Sequence, residues 1–136
     1  MPVLGGRRLR AEGIDVKNEI KPANWFLNGE DDVRSSYYLE EIATEFDIQG
    51  LEIDYTCLAW DINLYFDNGW NSQNFKGSKW QKINQQSTKN YLLNSYRVLL
   101  TRARQGMIIY VPEVDGQDPT RCKKMYDDTF NYLVIP

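Results

Sequence analysis

The sequence predicts an α/β domain with a mostly parallel sheet flanked by helices. Three observations carry this. Apolar residues at Tyr91, Leu92, Tyr96, Leu99, Leu100 and Ala103 recur at helical spacing. Just after them, Met107-Ile108-Ile109-Tyr110-Val111 is a continuous apolar run, the kind that suits a strand buried on both faces of a parallel sheet. Upstream, Ile53 to Trp60 is rich in β-branched and aromatic residues and reads as another strand. Strands alternating with helices form the α/β pattern.

Taken in order, Pro2-Val3-Leu4 is a short apolar piece that reads as a strand, followed by Gly5-Gly6 and the basic residues Arg7, Arg8 and Arg10. Asp31, Asp32 and the Ser35-Ser36 pair precede Tyr37 to Glu41, a capped turn entering a short helix. Ile42 to Phe46 reads as a short strand, and Asp47-Ile48-Gln49-Gly50 breaks it before the strand that starts at Ile53. A loop or hairpin follows around Asp67-Asn68-Gly69 and Asn74 to Gly77, with Trp70 and Trp80 as anchors. The main helix spans Gln86 to Ala103. Gln105-Gly106 ends it, with Gly106 expected in the left-handed position after the cap. After the apolar strand, Pro112 to Pro119 is a loop. Thr120 to Leu133 is a last helix with Met125, Tyr126, Phe130 and Leu133 on one side. With no repeat and no flexible linker, residues 1–136 read as a single domain.

Composition excludes several chemistries. Histidine is absent, which removes Ser-His-Asp and Cys-His devices and every His-containing zinc site. The two cysteines, Cys57 and Cys122, are too few for a disulfide framework and read as free thiols of a reducing cytosol. No apolar run reaches the roughly 18 residues of a membrane helix, so a soluble, cytoplasmic protein with no membrane partner is expected. The 13% aromatic share supplies ample core material.

The net charge of −3 conceals two opposite stretches. Between Asn28 and Asp61 the acids are numerous and the only base is Arg34. Between Lys76 and Tyr110, Lys76, Lys79, Lys82, Lys89, Arg97, Arg102 and Arg104 occur with no Asp or Glu. Such a stretch can hold phosphates, or it can be a solvated face neutralised by the acidic segment.

No phosphate-binding loop of the form Gly-x4-Gly-Lys-Ser/Thr and no Gly-x-Gly-x-x-Gly is present. Glu52-Ile53-Asp54 places two carboxylates on one face of a strand, which raises a Mg²⁺ nuclease, but Thr56 stands where that pattern carries Lys. The most informative segment is Asn94 to Arg104, a helix ending in arginines immediately before a strand. Arginine suits bidentate phosphate contact and keeps its charge. It can act as a finger that neutralises charge on a transferred phosphoryl group, or it can simply pair with the helix dipole.

Tyr96-Arg97-Val98-Leu99-Leu100-Thr101-Arg102-Ala103 resembles motif VI of superfamily 1 helicases, and Gln49-Gly50-Leu51-Glu52 with Asp54-Tyr55 resembles motif V. Their order and separation agree with that superfamily. More closely, the chain resembles the C-terminal part of a bacterial family of predicted DNA/RNA helicases of unknown function. The likeness covers most of residues 20–136 and includes Ala43-Thr44-Glu45-Phe46, Asp118-Pro119-Thr120-Arg121 and Tyr126-Asp127.

The resemblance implies the second RecA-like lobe of a helicase-type ATPase, without its own phosphate loop. ATP and Mg²⁺ would belong to the full-length parent, which carries the N-terminal RecA-like lobe as partner, and the isolated chain would hold neither and be inactive. Arg102 would contact the γ-phosphate. Gly50, with Gln49, would approach the phosphates, and Glu52 would bond the ribose. Thr44 matches a nucleic-acid backbone contact. Arg97 and Arg104 would support the site or bind nucleic acid. The motif V histidine found in many members of the superfamily is absent here. The alternative is a non-catalytic nucleic-acid-binding or interaction module on the same scaffold. The chain is expected to be a fragment of a longer protein.

Overall fold

The computed structural model describes residues 2–3, 8–14 and 20–135. The fold is mixed α/β. It comprises two compact units, Met1–Ala59 with Val98–Tyr110, and Trp60–Arg97 with Val111–Pro136.

The first unit holds a four-stranded sheet built from β1 (Pro2–Val3), β2 (Ala43–Thr44), β3 (Ile53–Ala59) and β7 (Ala103–Tyr110), in the order β2-β1-β3-β7. Every pairing is parallel. The expected strand at Pro2-Val3 is therefore an interior one. Leu4 to Arg7 of that reading lie outside the described residues. Leu9, in a 3-10 turn at Arg8–Glu12, packs with Ile14 and Ala59 as a core cluster joined by Ile42 and Tyr110. The Tyr110 hydroxyl donates to the Glu12 carboxylate at 3.0 Å. A short helix α1 (Pro22–Leu27) buries Trp25, whose indole N–H donates to the carbonyl of Glu41. The expected helix after Ser35-Ser36 is a single 3-10 turn, Ser36–Tyr38. The Ser35 hydroxyl accepts from the Tyr37 N–H, and Leu39 in a left-handed conformation (φ 58°) stops it.

The second unit holds an antiparallel meander where the sequence suggested a loop or one hairpin. Its strands are β4 (Leu64–Phe66), β5 (Trp70–Lys76) and β6 (Lys79–Lys82). The turns fall at the two Gly positions read as breakers: Asn68 and Gly69, and then Gly77, all take positive φ. Trp60 stacks on Trp70 and packs tilted against Tyr96, the Trp60 and Tyr96 ring centroids 4.3 Å apart. Ile62, Val114 and Tyr126 form the apolar core, with Met125, Tyr65 and Trp80 against it.

Helix α2 (Gln86–Leu100) stops before the expected Ala103. The N–H groups of Thr101 and Arg102 bond three residues back, to Val98 and Leu99, tightening the last turn. Ala103 then pairs with Ile53 in the sheet, so strand pairing overrides its helical spacing. Gly106 is not a helix cap. It lies inside β7 without a positive φ, and a Cβ there would meet the Tyr55 ring at 3.0 Å. Nor is β7 buried on both faces: it is the outer strand of its sheet, and Ile108 is 68% exposed. The last helix, α3 (Lys123–Val134), starts later than expected because Asp118 holds Thr120 in a turn, accepting from its N–H and its hydroxyl. Its buried face is Tyr126 and Thr129, while Phe130 is exposed.

Candidate functional site

The chain from Thr44 to Ile53 crosses from one end of the parallel sheet to the other. Val3 pairs with both Thr44 and Ala59, so Thr44 is level with the closing end of β3. Gln49 to Glu52 lead into its opening end. β3 is seven residues long, which puts the two ends about 20 Å apart at the usual rise of a strand. Thr44 is thus separated from Gln49, Gly50 and Glu52.

At its end of the sheet Thr44 is tightly held. Its N–H and its hydroxyl both donate to Oδ2 of Asp47 at 2.7 Å, and the Asp47 N–H returns a bond to the Thr44 carbonyl. Asp47 was read only as a strand breaker. The Thr-x-x-Asp spacing, a side-chain turn pattern, was the signal for its positioning role. Ile48, fully buried, anchors the turn from the inside.

The opening end brings the two motif-like segments together. The Arg102 carbonyl accepts from the Ile53 N–H at 3.1 Å, and Arg102 Nη1 donates to the Leu51 carbonyl at 3.2 Å. Arg102 is half-buried, and its Nε is buried without a hydrogen-bond partner among the described residues. Beside it, Arg104 Nε stands 3.9 Å from the Glu52 carboxylate, with both side chains mostly exposed. That is a loose pair, worth little to stability. Gln49 and Gly50 are exposed. Gly50 has φ +77° with nothing within 4 Å of where a Cβ would stand, so glycine serves backbone conformation here and leaves open space beside the chain.

Arg97 belongs to the second unit, is exposed, and donates to Asn94 Oδ1 at 3.2 Å on its own helix. Tyr55 was not singled out as a site residue. It lies over Gly106 and donates to Gln105 Oε1 at 3.2 Å while remaining 72% exposed. The pairing of an exposed aromatic with a strand glycine becomes visible only once the register is known.

Among the described residues, no group of three or more acidic or thiol side chains could hold a metal ion. Among those residues Glu52 and Asp54 are not joined by a third acidic or thiol side chain in such a group. Cys57 and Cys122 are free thiols. No helix among the described residues is long and apolar enough to cross a membrane.

One end of the sheet thus gathers an arginine, an exposed carboxylate and an open glycine turn, which is an arrangement suited to a phosphorylated ligand. Residues 6–113 match the family described as Schlafen group 3, DNA/RNA helicase domain. The match takes in most of the chain, and the chain belongs to that helicase-like family. No curated protein and no solved structure matches it.

Proposed function

We propose that the chain is the second RecA-like lobe of a superfamily 1-type ATPase that acts on DNA or RNA, and that it supplies half of an ATP site completed by an N-terminal lobe of the same protein. The observation that supports this most is the hydrogen-bonded junction of Leu51–Ile53 with Arg102. It places the motif V-like turn and the motif VI-like arginine side by side.

The residues present suit the ligand. Arg102 offers guanidinium donors at a half-buried position, and its unpartnered Nε has donor capacity to spare. In this reading it meets the γ-phosphate and offsets the negative charge that grows there. Gly50, with Gln49, lets the backbone approach the phosphates, since no side chain fills the space beside it. Glu52, exposed and only loosely paired, accepts from the ribose hydroxyls. Arg104, beside Glu52, would support the site or bind nucleic acid. Mg²⁺, which would offset phosphate charge, would be held by the first lobe. Thr44, at the far end of the sheet, contacts the nucleic-acid backbone, so nucleotide and nucleic acid take opposite ends of β3.

The test joins this chain to a matching N-terminal lobe and measures ATP turnover. Arg102→Ala is expected to lower turnover about a hundredfold or more, as loss of an arginine finger does. Arg97→Ala should cost far less. Near-normal turnover in Arg102→Ala would sink the assignment.

A second reading, a nucleic-acid-binding module without catalysis, has one observation in its favour. Lys76 and Lys79 face each other directly across the β5–β6 hairpin. Like charges in that position are destabilising, and a phosphate between them would relieve the repulsion.

A further inference from the structure

Residues 25–41 form a small self-bonded segment of the first unit. Trp25 donates to the Glu41 carbonyl at 3.1 Å, the Ser35 hydroxyl donates to the Asn28 carbonyl at 2.6 Å, and the Tyr38 hydroxyl donates to the Glu30 carbonyl. The Arg34 guanidinium makes two bonds to the Asp32 carboxylate, at 2.9 and 2.7 Å, and Asn28 donates to the same group. The backbone of the segment is therefore held in one shape.

Its outward side chains exceed what that shape requires. Leu27 is 74% exposed, Leu39 78% and Val33 61%. Single exposed apolar residues are ordinary, but several on one held segment mark a contact surface. Leu39 makes the point most clearly. It occupies a left-handed conformation that Gly or Asn would adopt more easily, yet it carries a fully formed apolar side chain into solvent. The charged residues of the segment itself are mostly acidic. Glu30, Asp31 and Glu40 are exposed, and the only base between Asn28 and Asp61, Arg34, is engaged by Asp32. Such a field repels phosphates and attracts lysine and arginine.

We infer that this segment is a docking surface for a protein partner presenting a basic amphipathic helix. The helix's apolar face would cover Leu27, Val33 and Leu39, and its Lys or Arg residues would meet Glu30, Asp31 and Glu40. The surface is built from residues other than those of the proposed nucleotide site, and the inference does not rest on that reading.

The probe is a labelled synthetic peptide of Leu and Lys with Leu at helical spacing, titrated with the full chain and read by fluorescence anisotropy. Leu27→Ser with Leu39→Asn, and separately Asp31→Lys with Glu40→Lys, should each weaken binding about tenfold or more, the loss expected for central anchors. A control reversal on the second unit, Glu113→Lys with Asp127→Lys, should leave it within about twofold. Circular dichroism establishes that each variant is folded. If the apolar pair fails to fold, the charge pair still reads the same surface. Equal weakening by the control reversal, or equal binding of a peptide with Glu in place of Lys, would overturn the inference. So would a dimer, seen by sedimentation equilibrium, that the Leu27→Ser, Leu39→Asn variant abolishes, because the surface would then belong to a second copy of this chain.

Discussion

Gly50 shows what one backbone angle demands of a sequence. At φ +77° an L side chain is strained, and no neighbouring atom adds a steric term. Gly50→Ala should therefore destabilise the fold by about 1 kcal/mol, measured by urea denaturation. Gly50→Asn should cost less, because Asn tolerates the left-handed region. An Ala variant as stable as the native chain would show that the turn relaxes. Asp32 makes a second residue-scale case. Hydrogen bonds from the Arg34 side chain and backbone, and from Asn28, hold its carboxyl well below the ordinary carboxylate range. A depressed folded value means that the contribution is fully present above the unfolded pKa, about 3.9, and is lost as pH falls below it. The pair is exposed, so global stability should barely register the change. Amide protection factors at residues 28–39, which correct for the intrinsic pH dependence of exchange, should instead fall below about pH 4, and Asp32→Asn should show lower protection already at neutral pH. If the segment exchanges equally in both proteins at pH 7, the pair does not hold it.

Elements were legible where their signal is local. The β-branched run of β3, the turn at Asp47 to Gly50, the capping serine at Ser35 and the apolar spacing of α2 all fall where the residues alone place them. The end of α2 was not legible, because Ala103 fits a helix equally well and only pairing with Ile53 decides against it. The β4–β5–β6 meander was obscured for a related reason. Asn71, Gln73 and Gln81 dilute the alternation expected of strands, and Gln73 is buried because its amide donates to the Ile62 carbonyl at 2.8 Å. The same holds for the face of α3. Thr129 is fully buried there, although apolar spacing pointed to Phe130. Its hydroxyl donates to the Met125 carbonyl at 2.6 Å and accepts from the Phe66 N–H of β4 at 3.0 Å. Thr129→Val keeps the volume but leaves that N–H without its acceptor. It should destabilise by about 1–3 kcal/mol, while Thr129→Ser should retain most of the stability. A Val variant with an unchanged urea midpoint would mean that water replaces the hydroxyl. Of the candidate site, the motif-like residues could be named in advance. Which of them share an end of the sheet could not, since that follows from strand order and register.

At the scale of the whole molecule, the charge pattern divides between the units. The acids between Asn28 and Asp54 all belong to the first, and Lys76, Lys79, Lys82 and Lys89 belong to the second. Lys76, Lys79 and Lys82 are exposed, and they cluster on one hairpin because Gly77, at φ +63°, turns the chain back within two residues. A chain whose net charge is −3 should bind nucleic acid poorly by long-range attraction. If it binds at all, binding should be local and should track the number of phosphates the hairpin neutralises. For single strands each phosphate contributes about −0.7 to the slope of log affinity against log salt. Lys76 and Lys79 share one face of the hairpin while Lys82 points to the other, so two lysines engaged together would give a slope of about −1.4, read from fluorescence anisotropy of a labelled single-stranded oligonucleotide between low and moderate salt. Replacing Lys76, Lys79 and Lys82 together by Ala should bring the slope towards zero. Thr44→Val should weaken binding without changing the slope, since a hydroxyl displaces no counterion. Only Thr44 contact ties binding to the lobe proposed here. If Thr44→Val binds like the native chain while the lysine variant does not bind, the hairpin alone holds nucleic acid and the chain acts as a binding module. If both variants bind like the native chain, neither reading of the nucleic-acid surface stands.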